Sequence, residues 1–107
     1  MFRFDGLAQF VITIQYAEPA DPEAFDTHYF DRHVALCQPL PGLRAAAFSK
    51  PRALGPGACP YLVAELDFDD AEALRTALKS PEMAAVAADA ATLDAERVMF
   101  TGDVVSG

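Results

Sequence analysis

Cationic residues are scarce in this chain. Eight lysines and arginines stand against 16 aspartates and glutamates, a formal net charge of −8 over 107 residues. A chain so charged is repelled by phosphate backbones, and no basic stripe with interleaved aromatics offsets that repulsion. Nucleic acid is therefore excluded as a partner, and an anionic membrane surface with it. Cysteines number two, Cys37 and Cys59; two thiols make no disulfide framework, and no Cys-x-x-Cys is present. No apolar run has the length of a bilayer span: the alanine-rich stretch from Met83 to Leu93 is too short and contains Asp89. At the N-terminus, Arg3 and Asp5 precede an apolar run already broken by Gln9 and Thr13, which does not read as a signal peptide. No glycine-rich phosphate loop, Walker sequence or serine-centred nucleophile elbow occurs, so no motif supports a nucleotide or flavin cofactor. These absences predict a cytoplasmic protein with reduced thiols, no cofactor and no membrane association.

What is present suits one small domain. Apolar residues make up 52% of the chain and charged residues 22%, enough for a single core and too few charges for disorder. A domain of this size leaves much of its surface outside that core, so a second copy is a natural cover. Residues 1–7 read as a loose lead-in with a turn at Asp5-Gly6. From Ala8 to Tyr16 alternation predicts a strand, with Phe10, Ile12, Ile14 and Tyr16 on one face and Val11, Thr13 and Gln15 on the other. Asp21-Pro22 supplies an N-cap acceptor followed by a proline at the first helical position. The helix this starts is expected to run to about Cys37, stopped by Pro39 and Pro41-Gly42.

Leu43 to Ser49 reads as a weak second strand, the proline- and glycine-rich segment Lys50 to Pro60 as a loop, and Tyr61 to Phe68 as a third strand. Asp69 and Glu72 form an acidic capping box for a helix carrying Leu74, Ala77 and Leu78. Ser80-Pro81 restarts that helix, with Met83, Val86, Ala87 and Ala90 at helical spacing, and Arg97 to Thr101 reads as a last strand. The order β-α-β-β-α-β predicts an α+β ferredoxin-like sandwich: a four-stranded antiparallel sheet with helices on one face. The other face, expected to carry Val11, Val63 and Met99 beside Thr13, Gln15 and Glu65, is too apolar for a wet sheet and too polar for a monomeric core. Such a face suits packing against its twin, two sheets closing into a barrel.

The stretch Phe25-Asp26-Thr27-His28-Tyr29-Phe30-Asp31-Arg32-His33-Val34-Ala35-Leu36, followed by Leu40-Pro41-Gly42-Leu43-Arg44, resembles the signature of the EthD family. The second half is similar in style, in Pro60-Tyr61-Leu62-Val63-Ala64-Glu65-Leu66, Phe68-Asp69-Asp70, Glu72-Ala73-Leu74 and Ser80-Pro81-Glu82. The resemblance covers roughly residues 10–102 and implies a dimeric α+β barrel with a cavity between sheet and helices in each subunit. One departure is Ala90-Ala91-Thr92-Leu93, where the family often carries an aromatic. Barrels of the wider superfamily include lactone isomerases and cofactor-free oxygenases and cyclases, a link of fold rather than of function.

His33 is the strongest candidate for chemistry. It borders the stripe Phe25, Tyr29 and Leu36, and an imidazole titrates near neutrality and passes protons either way. The plainer alternative is a buried ring bonded to a backbone carbonyl of the Pro41-Gly42 turn. Tyr29, one turn earlier, would orient a substrate oxygen or simply pack. Phe25, Leu36, Ile12 and Ile14 are the expected cavity wall. His28, five residues before His33, falls about 140° around a regular helix, so the two cannot chelate one metal and His28 is expected on the flank. Cys37 lies one turn after His33 without further ligands, and a small buried thiol is its commoner role. Asp67, Asp69 and Asp70 cluster at a strand end, where capping explains at least Asp69. The leading expectation is cofactor-free proton transfer on a small hydrophobic carbonyl or lactone-like molecule, in a homodimer, with no metal. The alternatives are a non-catalytic dimeric binding or accessory protein for a hydrophobic compound, and a dimer whose barrel is simply packed. A cavity beside His33 separates the first two from the third.

Overall fold

The computed structural model describes residues 9–105; the lead-in, its Asp5-Gly6 turn and Ala8 lie outside the described residues. The chain runs through β1 (Phe10–Tyr16), α1 (Pro22–His28), a π-helical turn (Tyr29–His33), α2 (Val34–Cys37), β2 (Leu43–Ser49), β3 (Leu62–Phe68), α3 (Ala71–Leu78), α4 (Pro81–Ala90) and β4 (Arg97–Asp103). All strand pairs are antiparallel and their order is β2-β3-β1-β4. This is the ferredoxin-like arrangement, an α+β fold with its helices on one face of the sheet.

The alternating strands bury the faces their sequences predict. Ile12, Ile14 and Tyr16 of β1 and Leu62, Ala64, Leu66 and Phe68 of β3 are all buried, opposite one another in register. On β2 an extra residue, Arg44, interrupts the register between Leu43 and Ala45. This bulge lets Leu43, Ala46 and Phe48 share the helix side, and frees the Arg44 side chain to meet Asp69 at 2.9 Å. Asp69 is therefore not the cap of α3: Asp70, one residue later, accepts from the Ala73 N–H at 2.8 Å. Leu78, expected on the apolar stripe of α3, is 45% exposed, and Leu74 and Ala77 carry the burial. Asp21 caps α1 through the Ala24 N–H at 3.2 Å, and Ser80 caps α4 through that of Met83 at 3.1 Å.

Met99 requires a correction. It pairs with Ile14 across β1 and β4, so it faces the helices and not the open side of the sheet. The open side instead carries Val98 and Phe100 beside Val11 and Val63, with Thr13, Gln15, Glu65 and Asp67. Val98 and Phe100 are each at least half exposed. Val98 and Phe100 do lie opposite Met99 on β4, but it is the Met99 side that faces the helices. No helix among the described residues is long and apolar enough to cross a membrane.

Candidate active site

The first helical segment does not stay regular. The Val34 N–H bonds to the Tyr29 carbonyl, five residues back, so Tyr29–His33 forms one wide π turn. In such a turn residues five apart, not four, come to the same side, and single π turns recur at functional sites. His28 and His33 are five apart. The expectation that they point in different directions rested on a regular helix, and the wide turn overturns it.

Both imidazoles converge on one carboxylate. His33 Nδ1 lies 2.9 Å from Asp89 Oδ2, and His28 Nε2 lies 3.0 Å from both carboxylate oxygens. Arg32 Nε donates to Oδ1 at 3.1 Å. Asp89 is only 8% exposed and sits near the end of α4 among Val86, Ala90 and Leu93, which are also buried. Burial pushes its carboxyl upward, but hydrogen bonds from His28 and His33, the charge of His28 and the Arg32 contact outweigh that and hold it below the usual carboxylate range. An ionised Asp89 can only accept, so the proton of neutral His33 stands on Nδ1 and the lone pair on Nε2. No partner among the described residues occupies Nε2.

The His33 ring, 2% exposed, lines a cavity of about 50 Å³ between sheet and helices. Ile12 and Ile14 line it as expected, with Tyr29, Met83, Val86 and Met99. Phe25 and Leu36 do not. Phe25 is turned into an aromatic cluster, stacked on Tyr29 at 5.5 Å and edge-on to Tyr16 and Tyr61. Leu36 is only partly buried against the core, because the π turn hands its place in the stripe to Cys37. Cys37 reaches the cavity wall, but burial, reinforced by the Asp89 charge, pushes its thiol up to about 11, so it stays protonated.

Tyr29 is 1% exposed and its ring packs edge-on against that of Tyr16, with centroids 5.4 Å apart. Burial, then the neighbouring Tyr16, raises the Tyr29 phenol far above the ordinary range; burial likewise pushes Tyr16 up to about 12. Both phenols remain neutral donors, able to hold an oxygen but not to take a proton. The plainer alternative for His33, a bond to the backbone of the Pro41-Gly42 turn, is not what the ring does. That turn is self-contained: the Leu43 N–H bonds to the Leu40 carbonyl at 3.3 Å, and Gly42 sits at φ +77°, the left-handed position a type II turn reserves for glycine.

Asp89 is the group the sequence reading missed. In the sequence it stands out only as a charge that interrupts an alanine-rich stretch. The signal was its phase: Val86, Asp89, Ala90 and Leu93 follow helical spacing, and an acid on a buried stripe requires partners. Among the described residues no group of three or more histidines, cysteines and acids is arranged to hold a metal ion.

The model of the EthD domain matches residues 17–93. An uncharacterized 11.0 kDa protein in the thcB-thcC intergenic region of Rhodococcus erythropolis is 41% identical over 81 residues, 75% of this chain and 79% of that protein. The crystal structure of an EthD family protein from Bacillus halodurans superposes with a TM-score of 0.77 at 30% identity, covering 91% of this chain and 99% of that one. A dimeric ferredoxin-like protein from Thermobifida fusca has a TM-score of 0.68 at 19% identity, covering 97% of each chain. SnoaB, a cofactor-independent oxygenase from Streptomyces nogalater, has one of 0.63 at 20% identity, covering 94% of each.

Proposed function

The chain belongs to the EthD family, and from that premise we propose that it is a cofactor-independent enzyme of small-molecule catabolism, moving a proton on a small hydrophobic carbonyl or lactone-like compound. The observation that carries this reading is the His33 ring, fixed at Nδ1 by Asp89 at 2.9 Å and lining an apolar cavity. An imidazole so held is a base with its tautomer already chosen. Nε2 takes a proton from the carbon beside a carbonyl: the C–H bond breaks, an N–H bond forms, and the electron pair moves into an enolate. The imidazolium is stabilised by Asp89 and returns the proton at another carbon or at oxygen. Tyr29 and Tyr16, kept neutral, are the donors available to the enolate oxygen. SnoaB is an instance of cofactor-independent chemistry on this fold.

Hydrogen–deuterium exchange tests this without knowledge of the substrate. A panel of small ketones and lactones in D2O is expected to take up deuterium beside the carbonyl in the presence of the protein, and His33→Gln is expected to abolish the uptake while the fold survives. Compounds that bind, seen by shifts of the His33 ring resonances, but never exchange would replace this reading with that of a non-catalytic binding or accessory protein.

The working unit in this reading is a homodimer formed through the open sheet face. Val11, Val63, Val98 and Phe100 give that face an apolar centre, and Glu65, Asp67, Gln15 and Thr13 give it a polar rim. The Thermobifida fusca protein is described as dimeric. Light scattering coupled to size exclusion at low micromolar concentration is expected to give twice the chain mass; a mass near 11.5 kDa contradicts the dimer.

A further inference from the structure

Resting on the reading that a small molecule reacts beside His33, we propose that this molecule is an organic monocarboxylate, gripped at its carboxylate by Arg97 while its apolar body extends toward the imidazole. The cavity of about 50 Å³ has room for a reacting group and not for a whole substrate. A second space of about 330 Å³ lies at the end of the sheet, bounded by Gln15, Val98 and the Cys59-Pro60 segment. Tyr16 and Arg97 line both spaces. They are direct cross-strand partners of β1 and β4, so this one pair stands where cavity and cleft adjoin. The cleft alone reaches the lower end of small-molecule site volumes, about 300–1,000 Å³.

Arg97 differs from the other arginines of the helix–sheet layer in what it lacks. Arg32 is held by Asp89 and Arg44 by Asp69. Arg97 meets no carboxylate among the described residues; its one hydrogen bond runs from Nη1 to the Ala90 carbonyl at 3.4 Å, near the limit of such a contact. The rest of its donor fork is open, and a planar fork matches a carboxylate with two parallel bonds. The remaining cavity wall is almost entirely apolar, which suits the other end of such a molecule. The chain's net charge of −8 gives an anion no long-range attraction, so recognition must come from a local cation of this kind. Glu96 also lines the cleft. It repels a second negative charge, which favours one carboxylate over two.

Phenylacetate and phenylacetamide are a matched pair of probes, equal in shape and differing in charge. Amide and side-chain NMR shifts of the full-length protein are followed during titration with each, in wild type, Arg97→Gln, Arg97→Lys and His33→Gln. Arg97 is exposed on an edge strand, so its variants are expected to fold, and an unchanged amide spectrum away from β4 verifies this. The wild type is expected to prefer the carboxylate by about tenfold or more, with the Arg97 Nε–H resonance moving. Arg97→Gln is expected to erase that preference, Arg97→Lys to retain part of it and His33→Gln to leave it intact. Equal affinity for the two probes, no binding of either, or a preference surviving Arg97→Gln overturns the proposal. A carboxylate preference through Arg97 without any deuterium exchange leaves the proposal standing and removes the proton-transfer reading. Exchange of neutral ketones by the wild type, with no carboxylate preference in the wild type, does the reverse.

Discussion

Two aspartates each gather several donors around the first helix, one from below and one from its own surface. Asp89 collects His28, Arg32 and His33 from a buried position on α4. Asp26, on α1 itself, takes Lys50 and the Tyr61 hydroxyl at 2.9 Å, and Lys50 also lies 4.8 Å from the centre of the Tyr61 ring. On paper the two clusters are alike: a carboxylate, a cation and a neutral donor. Solvent separates them. The Asp89 side chain is 7% exposed and that of Asp26 is 32%, with Lys50 at 45%. Water screens the Asp26 contacts and replaces them at little cost when they break. Asp89 and the His33 ring are far less open to water, so breaking their contact leaves a buried carboxylate and a buried polar ring without each other. The outer cluster ties the loop after β2 to α1; the inner one fixes the orientation of an imidazole.

The largest effect should come from removing the inner carboxylate. Asp89→Ala is expected to lower stability by roughly 2–4 kcal/mol, the cost of a buried network left without its acceptor, read from the midpoint of a urea melt. Asp89→Asn keeps the volume and should lose less stability, yet it frees the His33 tautomer, so any deuterium-exchange activity should fall with it. A stability loss for Asp89→Ala no greater than for a surface substitution would erase the distinction between the clusters.

Acid should sharpen the same distinction. Asp89 is held below its ordinary value of 3.8 in the folded state, so it contributes stability that is fully present above that value and is lost as pH falls through the lower folded one. A stability–pH profile is expected to steepen below about pH 4, with Asp89→Asn flattening that limb. Asp26 is lowered too, with burial opposed by Lys50 and Tyr61, but Asp26→Asn should flatten the limb only slightly.

Between the two lies Asp21, the cap of α1. Asp21→Ala is expected to cost roughly 1 kcal/mol, with the fold unchanged; no shift in the melt midpoint would mean that the cap contributes nothing. The smallest change should be Asp26→Asn, below the Asp21 effect and reduced further by added salt. An Asp26→Asn variant as damaging as Asp89→Ala would show that burial is not what sets the two apart.

The elements were legible where one periodicity governed. β1 and β3 alternate cleanly, Asp21-Pro22 and Ser80-Pro81 announce their helices, and the order of elements then dictates the sheet. Reading failed where a single residue changes the period. Nothing in Tyr29 to His33 signals a π turn, and the bonds that the turn permits run to a helix more than fifty residues on. From that turn came the misplacement of His28 and of Leu36. Asp69 was preferred to Asp70 as a cap because both are aspartates in a row, and Arg44, on a bulge that sequence does not reveal, decides between them. Met99 was turned the wrong way because β4 is an edge strand with exposed residues on both faces, where hydrophobicity gives no direction. His33, Tyr29, Ile12 and Ile14 can be singled out in the sequence because their spacing is local; Asp89 cannot, because its meaning depends on what faces it.

A π turn is a helix carrying one residue more than its hydrogen-bond ladder needs. Removing one residue between Tyr29 and His33 would restore an ordinary helix in which the two imidazoles stand four apart, still on one side. Straightening the turn at its present length would instead set them about 140° apart and draw one of them off Asp89. Among related sequences, then, a single-residue gap in this turn is compatible with an imidazole kept beside the cavity, whereas the full-length turn needs its wide form to hold both rings on one carboxylate.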